Sequence, residues 1–402
     1  MTTATERLYY ADPFLTHFTG HVVAHGTWNG QPSVVLDRTA FYPEAGGQMA
    51  DRGVLGGRAV RDVQVDDAGV VHHLLEPAGD APLPAPGTAL TGDIEPVRRR
   101  IHMALHTGQH MLSCALVNVA QAHTVSSRLG ETVCTIDVDL DVLDERLVAE
   151  AEAQVNALID ADVPIRSFFP TPEELATLPL RRAPKVTDNI RVVQITGYDV
   201  SPCGGTHCTR SGQVGLVRVL GVERYKGKGR VFFSAGGRAR SELWQEAATL
   251  RALARGFSCA PLEVPTSVDK LRRDLTEARE ALGAARAKLA EATAAELAGQ
   301  LERSPEQRVV AVLEGAGPEE LRAVAARLTN RPGAVVLLAG RSPEGLAVLL
   351  SRGAGATFGC GAFLKRAAEA VGGRGGGRPE HAEGRLPPQT DWPALVASLL
   401  GT

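Results

Sequence analysis

Short runs of alternating hydrophobic and polar positions fill the first 95 residues, and this is the pattern of β-strands. The runs in residues 21–42 and 59–77 are separated by turn residues, and Asn29-Gly30 is a strong β-hairpin signal. Residues 87–96 are typical of a last strand. We therefore predict a small antiparallel β-barrel or sandwich here, with a polar, glycine-rich loop at residues 41–53.

The hydrophobic period then alternates between that of helices and that of strands. Residues 97–120 and 141–160 predict amphipathic helices, and a short helix begins at Thr171-Pro172. Strands are predicted at residues 132–140 and 189–196, and residues 213–240 predict two strands joined by a basic tip. This part of the chain is therefore an α+β region.

A heptad pattern follows. Val268, Leu275, Leu282 and Leu289 recur every seven residues, which predicts a long helix beginning at Thr266 with a capping box to Asp269. This helix could pair with the helix around Trp244 or with a second subunit, and we favour a mixture of both. Residues 305–402 alternate strands and helices, so they predict a small α/β domain, with a structural turn at the glycine-rich residues 372–384 as the simplest interpretation of that stretch.

These patterns give an α+β fold class with four segments. We predict a β-barrel domain in residues 1–96, a metal-binding α+β domain in 97–242, a helical linker in 243–304 and a C-terminal α/β domain in 305–402.

Composition limits the location of the protein. The 402 residues contain no apolar run long enough to cross a membrane, and the N-terminus lacks the features of a signal peptide. Six cysteines occur without a disulfide-like pattern, which favours a reduced cytoplasmic setting. The net charge of −3 means that a nucleic-acid partner would have to bind local basic patches.

Two short motifs carry the candidate chemistry. His106 and His110 stand four residues apart in a predicted helix, so both imidazoles lie on one face. Cys203 and His207 enclose two glycines, which let one short loop aim both side chains at one point. Each motif alone has an ordinary explanation, a partly buried histidine pair or a core cysteine. Together they supply the nitrogen and sulfur ligands that tetrahedral zinc prefers, so we predict one zinc ion per chain.

Two other side chains lie close enough to the motifs in sequence to compete as metal ligands. His102 lies one turn before His106, and we expect it to be a surface or supporting residue. Cys208 follows His207 directly and could compete with Cys203, although neighbours in an extended loop point in opposite directions.

Five stretches in order identify a family resemblance. They are residues 37–53, 98–116, 154–159, 191–215 and 372–379. These stretches resemble the editing domain of alanyl-tRNA synthetase and its free-standing relatives, the AlaX alanyl-tRNA editing proteins, in the long form that carries a C-terminal DHH-associated domain. The resemblance implies that Gln48 faces the substrate and that Thr124 reads a substrate hydroxyl. It also implies that the C-terminal domain contacts tRNA and assists dimer formation.

Basic side chains cluster in three places. Two of these clusters flank the proposed metal site, so we expect phosphate contacts there rather than merely solvated faces. The candidate tRNA-binding residues are Arg98, Arg99, Arg224, Lys226, Lys228, Arg230, Arg374 and Arg378.

The implied function is a trans-editing hydrolase that deacylates mischarged tRNA(Ala), with Ser-tRNA(Ala) foremost and Gly-tRNA(Ala) secondary. Because residue 1 is already near the predicted barrel, we expect no synthetase catalytic domain and no use of ATP. Four protein ligands would close a zinc site, so either one ligand is loosely bound or zinc mainly positions the substrate. Two alternatives remain: a tRNA-binding module with structural zinc, and a zinc hydrolase of another small ester.

Overall fold

The computed structural model describes residues 4–77, 82–342 and 345–401. The chain forms two compact units, Met1–Ala252 and Leu253–Thr402. In the described ranges, none of the helices has the length and apolar character needed to cross a membrane. The division of the chain into four domains stays a prediction.

A closed β-barrel forms the first part of unit 1. Its six strands pair in the order β2-β3-β7-β6-β5-β8 and all neighbours are antiparallel, so the predicted barrel is confirmed. Asn29 and Gly30 both have positive φ, as the tight hairpin between β2 and β3 requires. The strands in this region are β1 (Glu6–Arg7), β2 (His17–Trp28), β3 (Gln31–Leu36), β4 (Arg38–Thr39), β5 (Gly53–Leu55), β6 (Arg58–Val65), β7 (Val71–Leu75) and β8 (Ala89–Ile94).

Helix α1 (Pro96–Ala120) follows the barrel and is the central element of unit 1. Proline in its first turn and a left-handed residue, Gln121, after its last turn bound the helix. Every residue from His102 to Leu116 is buried, so the helix is enclosed by the rest of the unit along most of its length. The metal-ligand motif on α1 is therefore held by surrounding structure on all sides.

Two small sheets surround α1. One sheet has the order β14-β15-β10-β9 and the other has the order β11-β12-β13. The loop that carries Cys203 follows β13 directly. The elements are β9 (Thr124–Leu129), β10 (Cys134–Val138), α2 (Glu145–Asp160), β11 (Ile165–Phe168), α3 (Pro172–Thr177), β12 (Val192–Ile195), β13 (Asp199–Pro202), β14 (Val217–Tyr225), β15 (Lys228–Ala235) and α4 (Gly236–Phe257).

Unit 2 contains a long helix and a five-stranded sheet. The sheet order is β16-β17-β18-β20-β19, with only β16 and β17 parallel. The glycine-rich stretch that we interpreted as a turn forms β19 and the start of β20, because glycines let the two strands approach helix α7 closely. The elements are α5 (Val264–Arg303), β16 (Arg308–Glu314), α6 (Pro318–Thr329), β17 (Val335–Ser342), β18 (Gly345–Arg352), α7 (Cys360–Val371), β19 (Arg374–Gly377), β20 (His381–Leu386) and α8 (Trp392–Leu400).

Helix α5 begins at Val264, two residues before the predicted start, and the capping box at Thr266 is therefore wrong. Its last turns pack against the sheet of unit 2 through Leu297 and Leu301, which are buried. That contact explains why the heptad register changes before these two leucines. The heptad leucines Leu275, Leu282 and Leu289 are exposed, and so is Leu271 on the same helix.

Candidate metal centre and its cavity

Two histidines from α1 and two residues from the loop after β13 converge inside unit 1. The ligand atoms of His106, His110, Cys203 and His207 all lie within 4.8 Å of one another. The Cys203 Sγ atom is 3.4 Å from His106 Nε2 and 3.3 Å from His207 Nε2. The structure thus brings together the four side chains that the two motifs single out.

The spacing of these atoms fits a tetrahedral metal ion. Ideal zinc–sulfur and zinc–nitrogen distances place adjacent ligand atoms about 3.5 Å apart, close to the observed separations. One thiolate and three imidazoles are also a donor set of the kind that such an ion takes. The three histidines are buried and Cys203 is half-buried. We conclude that this cluster can hold a metal ion.

The protonation states of Cys203 and His207 favour metal binding. Burial opposes ionisation of the Cys203 thiol, but the imidazoles of His106 and His207 outweigh it and hold the pKa of Cys203 well below its usual value. Burial lowers the pKa of His207 to about 3, with a further contribution from His106. A thiolate and a neutral imidazole are the forms that bind metal ions.

Gln48 supports a metal ligand, and its predicted role of facing the substrate stays a prediction. Its side chain is fully buried, and its Oε1 atom accepts hydrogen bonds from His106 Nδ1 at 2.8 Å and from the Thr206 amide at 3.1 Å. Its Nε2 atom donates to Thr206 Oγ1 at 2.8 Å. Because Nδ1 of His106 carries the proton, Nε2 is left free to bind a metal beside Cys203.

The other two histidines have their own supports, which the sequence did not reveal. Nδ1 of His207 lies 3.2 Å from Thr107 Oγ1. Nδ1 of His110 lies 3.6 Å from a carboxylate oxygen of Asp199, and Arg181 holds that carboxylate with two hydrogen bonds of 2.8 and 3.1 Å. At 3.6 Å this carboxylate is beyond hydrogen-bonding distance. Burial lowers the pKa of His110, but the charges of Cys203 and Asp199 outweigh it and hold that pKa above its usual value.

A glycine explains how the loop can approach α1. A Cβ atom built on Gly205 would lie 2.1 Å from Cε1 and 2.3 Å from Nδ1 of His106, far inside contact distance. A Cβ atom on Gly204 would meet only the Tyr10 hydroxyl, at 3.5 Å. Gly205 is therefore needed for the imidazole of His106 to lie against the loop.

The two competing ligands are set apart from the cluster. We expected His102 to be a surface or supporting residue; it is only 3% exposed, so the surface position is wrong and the supporting role stays a prediction. Burial lowers the pKa of His102 to about 4. Cys208 packs in the hydrophobic core of the unit, and burial raises its pKa to about 11. A buried thiol with that pKa stays protonated and is a poor metal ligand.

A cavity of about 1140 Å³ opens next to the centre. Its wall includes His106 and Cys203 together with Thr124, whose hydroxyl donates to Ser113 Oγ at 2.8 Å. Gly46 and Gly47 of the glycine-rich loop form part of the same wall. Thr124 and two metal ligands therefore face one space. Aromatic and basic residues that the sequence did not single out also line it; they are Tyr10, Phe169, Arg182, Lys185 and Arg191.

Arg99 of the first basic cluster has a structural role, which corrects our prediction for that residue. Arg99 is 1% exposed and forms an ion pair with the fully buried Asp51, so it cannot reach a phosphate. Arg98 is mostly covered and contacts Glu131 at 2.8 Å and the Ala50 carbonyl at 3.0 Å. These two arginines tie α1 to the glycine-rich loop.

The other candidate tRNA-binding residues lie on the β14–β15 hairpin and in unit 2. Arg230 pairs with Asp137 at 2.6 Å and stacks on Tyr225, while Arg224 is 3.2 Å from Asp141. Lys226 lies at the exposed tip of the β14–β15 hairpin. Lys228 is half-buried beside it, and Arg374 and Arg378 are exposed in unit 2.

Three family descriptions match the chain. Residues 190–231, which include the Cys203 loop, match the "Threonyl and Alanyl tRNA synthetase second additional domain". Residues 3–95, which include the barrel, match "tRNA synthetases class II (A)". Residues 306–400, which include the sheet of unit 2, match the "DHHA1 domain".

Individual relatives align with nearly the whole chain. The chain is 29% identical to the alanyl-tRNA editing protein AlaX-L of Pyrococcus horikoshii, over 95% of this chain and 94% of that protein. It is 32% identical to the alanine–tRNA ligase of Pyrococcus abyssi, over 95% of this chain but only 42% of the ligase. Among solved structures, the C-Ala domain of Aquifex aeolicus alanyl-tRNA synthetase aligns with 23% of this chain and 86% of that chain, at 25% identity and a TM-score of 0.22.

Proposed function

The chain belongs to the AlaX-type family of alanyl-tRNA editing proteins, and from this premise we propose that it hydrolyses mischarged tRNA(Ala) in trans. The observation that carries the proposal is the cavity in which His106, Cys203 and Thr124 face one space. The preferred substrate is Ser-tRNA(Ala), Gly-tRNA(Ala) is a secondary substrate and Ala-tRNA(Ala) is spared. The two relatives described above carry alanine–tRNA in their names, which supports this choice of tRNA.

The metal of the proposed site is zinc, one ion per chain. When bound, zinc acts as a Lewis acid and lowers the pKa of coordinated water. The protein side chains do the rest: His106, His110, Cys203 and His207 hold the ion, and Gln48 keeps His106 in the tautomer that can bind it. The cavity reaches only two of the four ligands, so the ester would approach from the side of His106 and Cys203.

Thr124 is the proposed selectivity residue. Its hydroxyl lies on the cavity wall and donates to Ser113 Oγ, so its oxygen can accept a hydrogen bond from the hydroxyl of a bound serine. An alanyl group offers no such donor and would leave the threonine oxygen unpaired. The amino-acid pocket of a synthetase separates such closely related amino acids by only about 10- to 200-fold, which is why a separate hydrolytic site is useful.

The tRNA backbone is proposed to contact basic residues outside the cavity. Lys226 and Lys228 at the β14–β15 hairpin have no ion-pair partner within residues 4–77, 82–342 and 345–401, so their charges are available for phosphate. Arg224 lies beside them, and Arg374 and Arg378 are the proposed contacts in unit 2. Arg230 serves mainly to hold the hairpin through Asp137.

A homodimer is proposed through α5. Leu271, Leu275, Leu282 and Leu289 are 49 to 64% exposed along one helix, which is the arrangement of a coiled-coil seam. We expect Leu275→Glu combined with Leu282→Glu to shift the protein from dimer to monomer in sedimentation equilibrium. A wild-type protein that is monomeric at micromolar concentration would contradict this part of the proposal.

The test of the function compares two cysteine variants. Deacylation of Ser-tRNA(Ala) and Ala-tRNA(Ala) is followed with wild type, Cys203→Ala and the matched control Cys208→Ala, and zinc content is measured for each. We expect Cys203→Ala to lose both zinc and activity, whereas Cys208→Ala keeps both. Full zinc in the wild type without hydrolysis of either charged tRNA would favour a tRNA-binding module or an enzyme for another ester.

A further inference from the structure

Two aromatic rings stand beside the metal centre, where the cavity meets solvent. Phe169 follows β11 and is 51% exposed, although it is a large hydrophobic side chain that lines the cavity. Tyr10 lies next to it, with ring centroids 5.6 Å apart and ring planes at 70°. Neither ring is enclosed in a hydrophobic core, so the pair presents aromatic surface to whatever occupies the cavity.

Tyr10 is fixed in place by its neighbours. Its hydroxyl accepts a hydrogen bond of 2.8 Å from Arg7, and its ring packs on Tyr9 with centroids 4.8 Å apart. The same hydroxyl lies 3.5 Å from the position that a Cβ atom would occupy on Gly204. The aromatic pair therefore adjoins the loop that carries Cys203.

Positive charge surrounds the pair. The guanidinium of Arg191 lies 4.9 Å from the centroid of the Tyr10 ring and donates to the carbonyls of Cys203 and Gly205 at 3.1 and 2.8 Å. Arg191 is 5% exposed and its Nε atom has no hydrogen-bond partner within the described residues. The same cavity wall carries Arg182 and Lys185, and no described carboxylate pairs with Lys185.

We propose that Tyr10, Phe169 and Arg191 form a subsite for the terminal adenosine of the tRNA, with the adenine ring stacked on Phe169. This inference rests on the proposed function and identifies how that site holds its substrate. The scissile ester is on the terminal ribose, so the adenine must lie within one nucleotide of the reacting carbonyl. Exposed aromatic rings bind nucleobases by stacking, and the nearby cations match the phosphate on the 5′ side of the same nucleotide.

The subsite predicts binding of a small ligand by the intact, zinc-loaded protein. Adenosine 5′-monophosphate (AMP) is titrated calorimetrically against wild type, Phe169→Ala, Phe169→Trp and Trp244→Ala. Trp244 is the matched control, because it is 69% exposed and does not line the cavity. Stacking of one base on an aromatic ring corresponds to about 5- to 150-fold in affinity, so Phe169→Ala should weaken AMP binding within that range. Phe169→Trp should restore it, and Trp244→Ala should leave it unchanged.

Kinetics provide the second measurement. Phe169→Ala should raise KM for Ser-tRNA(Ala) about 5- to 150-fold while kcat at saturation changes much less, because the stacking contact binds the substrate and does not touch the ester. Wild-type binding of AMP and wild-type KM in Phe169→Ala would overturn the proposed subsite. Equal binding of ribose 5-phosphate and AMP would also overturn it, because the base would then contribute nothing.

The two measurements separate this inference from the proposed function. AMP binding that depends on Phe169, in a protein that hydrolyses neither charged tRNA, would support the subsite and refute the proposed hydrolase. Hydrolysis of Ser-tRNA(Ala) with the same KM in wild type and Phe169→Ala would support the proposed hydrolase and refute the subsite.

Discussion

Replacement of Gly205 by alanine is the sharpest structural test of the metal centre. The added methyl group would lie 2.1 Å from His106 Cε1 and 3.1 Å from Gln48 Oε1. Since real Cβ contacts essentially never fall below 3.0 Å, the imidazole or the loop has to move by at least 0.9 Å, the difference between 3.0 and 2.1 Å. The ring cannot move freely, because Gln48 holds its Nδ1 atom at 2.8 Å.

A displacement of this size is large for metal coordination. Metal–ligand distances tolerate only about 0.2 Å of error, so a shift of 0.9 Å in His106 or in the loop that carries Cys203 and His207 breaks the ligand set. Loss of the support of a single ligand already costs about 10- to 100-fold in metal affinity, and we expect Gly205→Ala to cost at least that much. Deacylation of Ser-tRNA(Ala) should fall in parallel.

The assay is a competition between the protein and a chromophoric chelator for zinc, with zinc content measured by mass spectrometry. Gly204→Ala is the matched control, because its methyl group would meet only the Tyr10 hydroxyl at 3.5 Å, an ordinary contact. Far-ultraviolet circular dichroism establishes that both variants are folded. Wild-type zinc affinity in Gly205→Ala would refute the inferred contact between this loop and His106.

Three further predictions follow from buried groups. Gln48→Ala should lower zinc affinity about 10- to 100-fold in the same competition assay, because His106 Nδ1 loses its acceptor; unchanged affinity would contradict the role of Gln48. Arg99→Ala should lower the free energy of unfolding by about 3–5 kcal/mol in urea, because it leaves the buried Asp51 carboxylate unpaired, and a loss below 1 kcal/mol would be evidence against that pair. Burial lowers the pKa of His73 from 6.5 to about 4, so between these pH values the unfolded chain binds a proton that the folded chain does not. Stability of the zinc-free protein should therefore fall as pH falls from 6.5 to 4, by up to about 1.4 kcal/mol per pH unit from this group, and His73→Gln should show a shallower slope in urea unfolding at several pH values. Equal slopes for wild type and His73→Gln would mean that His73 has the same pKa in the folded and the unfolded chain, which would contradict the prediction.

Local patterns in the sequence predicted the elements and the ligands. The spacing of His106 and His110 depends only on helix geometry, and the Asn29-Gly30 turn depends only on two adjacent residues. The barrel was predictable because strands such as β2 and β8 alternate between buried and exposed residues and the Asn29-Gly30 turn is marked. The capping box at Thr266 is the local prediction that failed, because α5 begins at Val264.

The functions of Gln48 and Arg99 depended on contacts between distant segments. Gln48 bonds His106 from 58 positions away, and Arg99 meets Asp51 from 48 positions away. Three consecutive arginines look alike in the sequence, yet one of them is buried because its partner carboxylate lies on the glycine-rich loop. No local signal separates a buried arginine from a phosphate contact.

The lining of the cavity was hidden for the same reason. Tyr10 precedes the barrel and Phe169 follows β11, and in the sequence each looks like an ordinary aromatic residue. Only the fold shows that they meet beside Cys203. The β19–β20 hairpin was missed because its glycine content argues against strands unless a helix packs closely on them.

The central claim is that the zinc-loaded cavity removes serine from tRNA(Ala), and single-turnover deacylation tests it most directly. Zinc-loaded and zinc-stripped wild type are mixed in excess with Ser-tRNA(Ala) or Ala-tRNA(Ala), and the four first-order rate constants are compared. We predict fast hydrolysis of the seryl ester only in the zinc-loaded protein, with the alanyl ester hydrolysed far more slowly. Equal rates for the two esters, or a seryl rate that does not depend on zinc, would contradict the central claim.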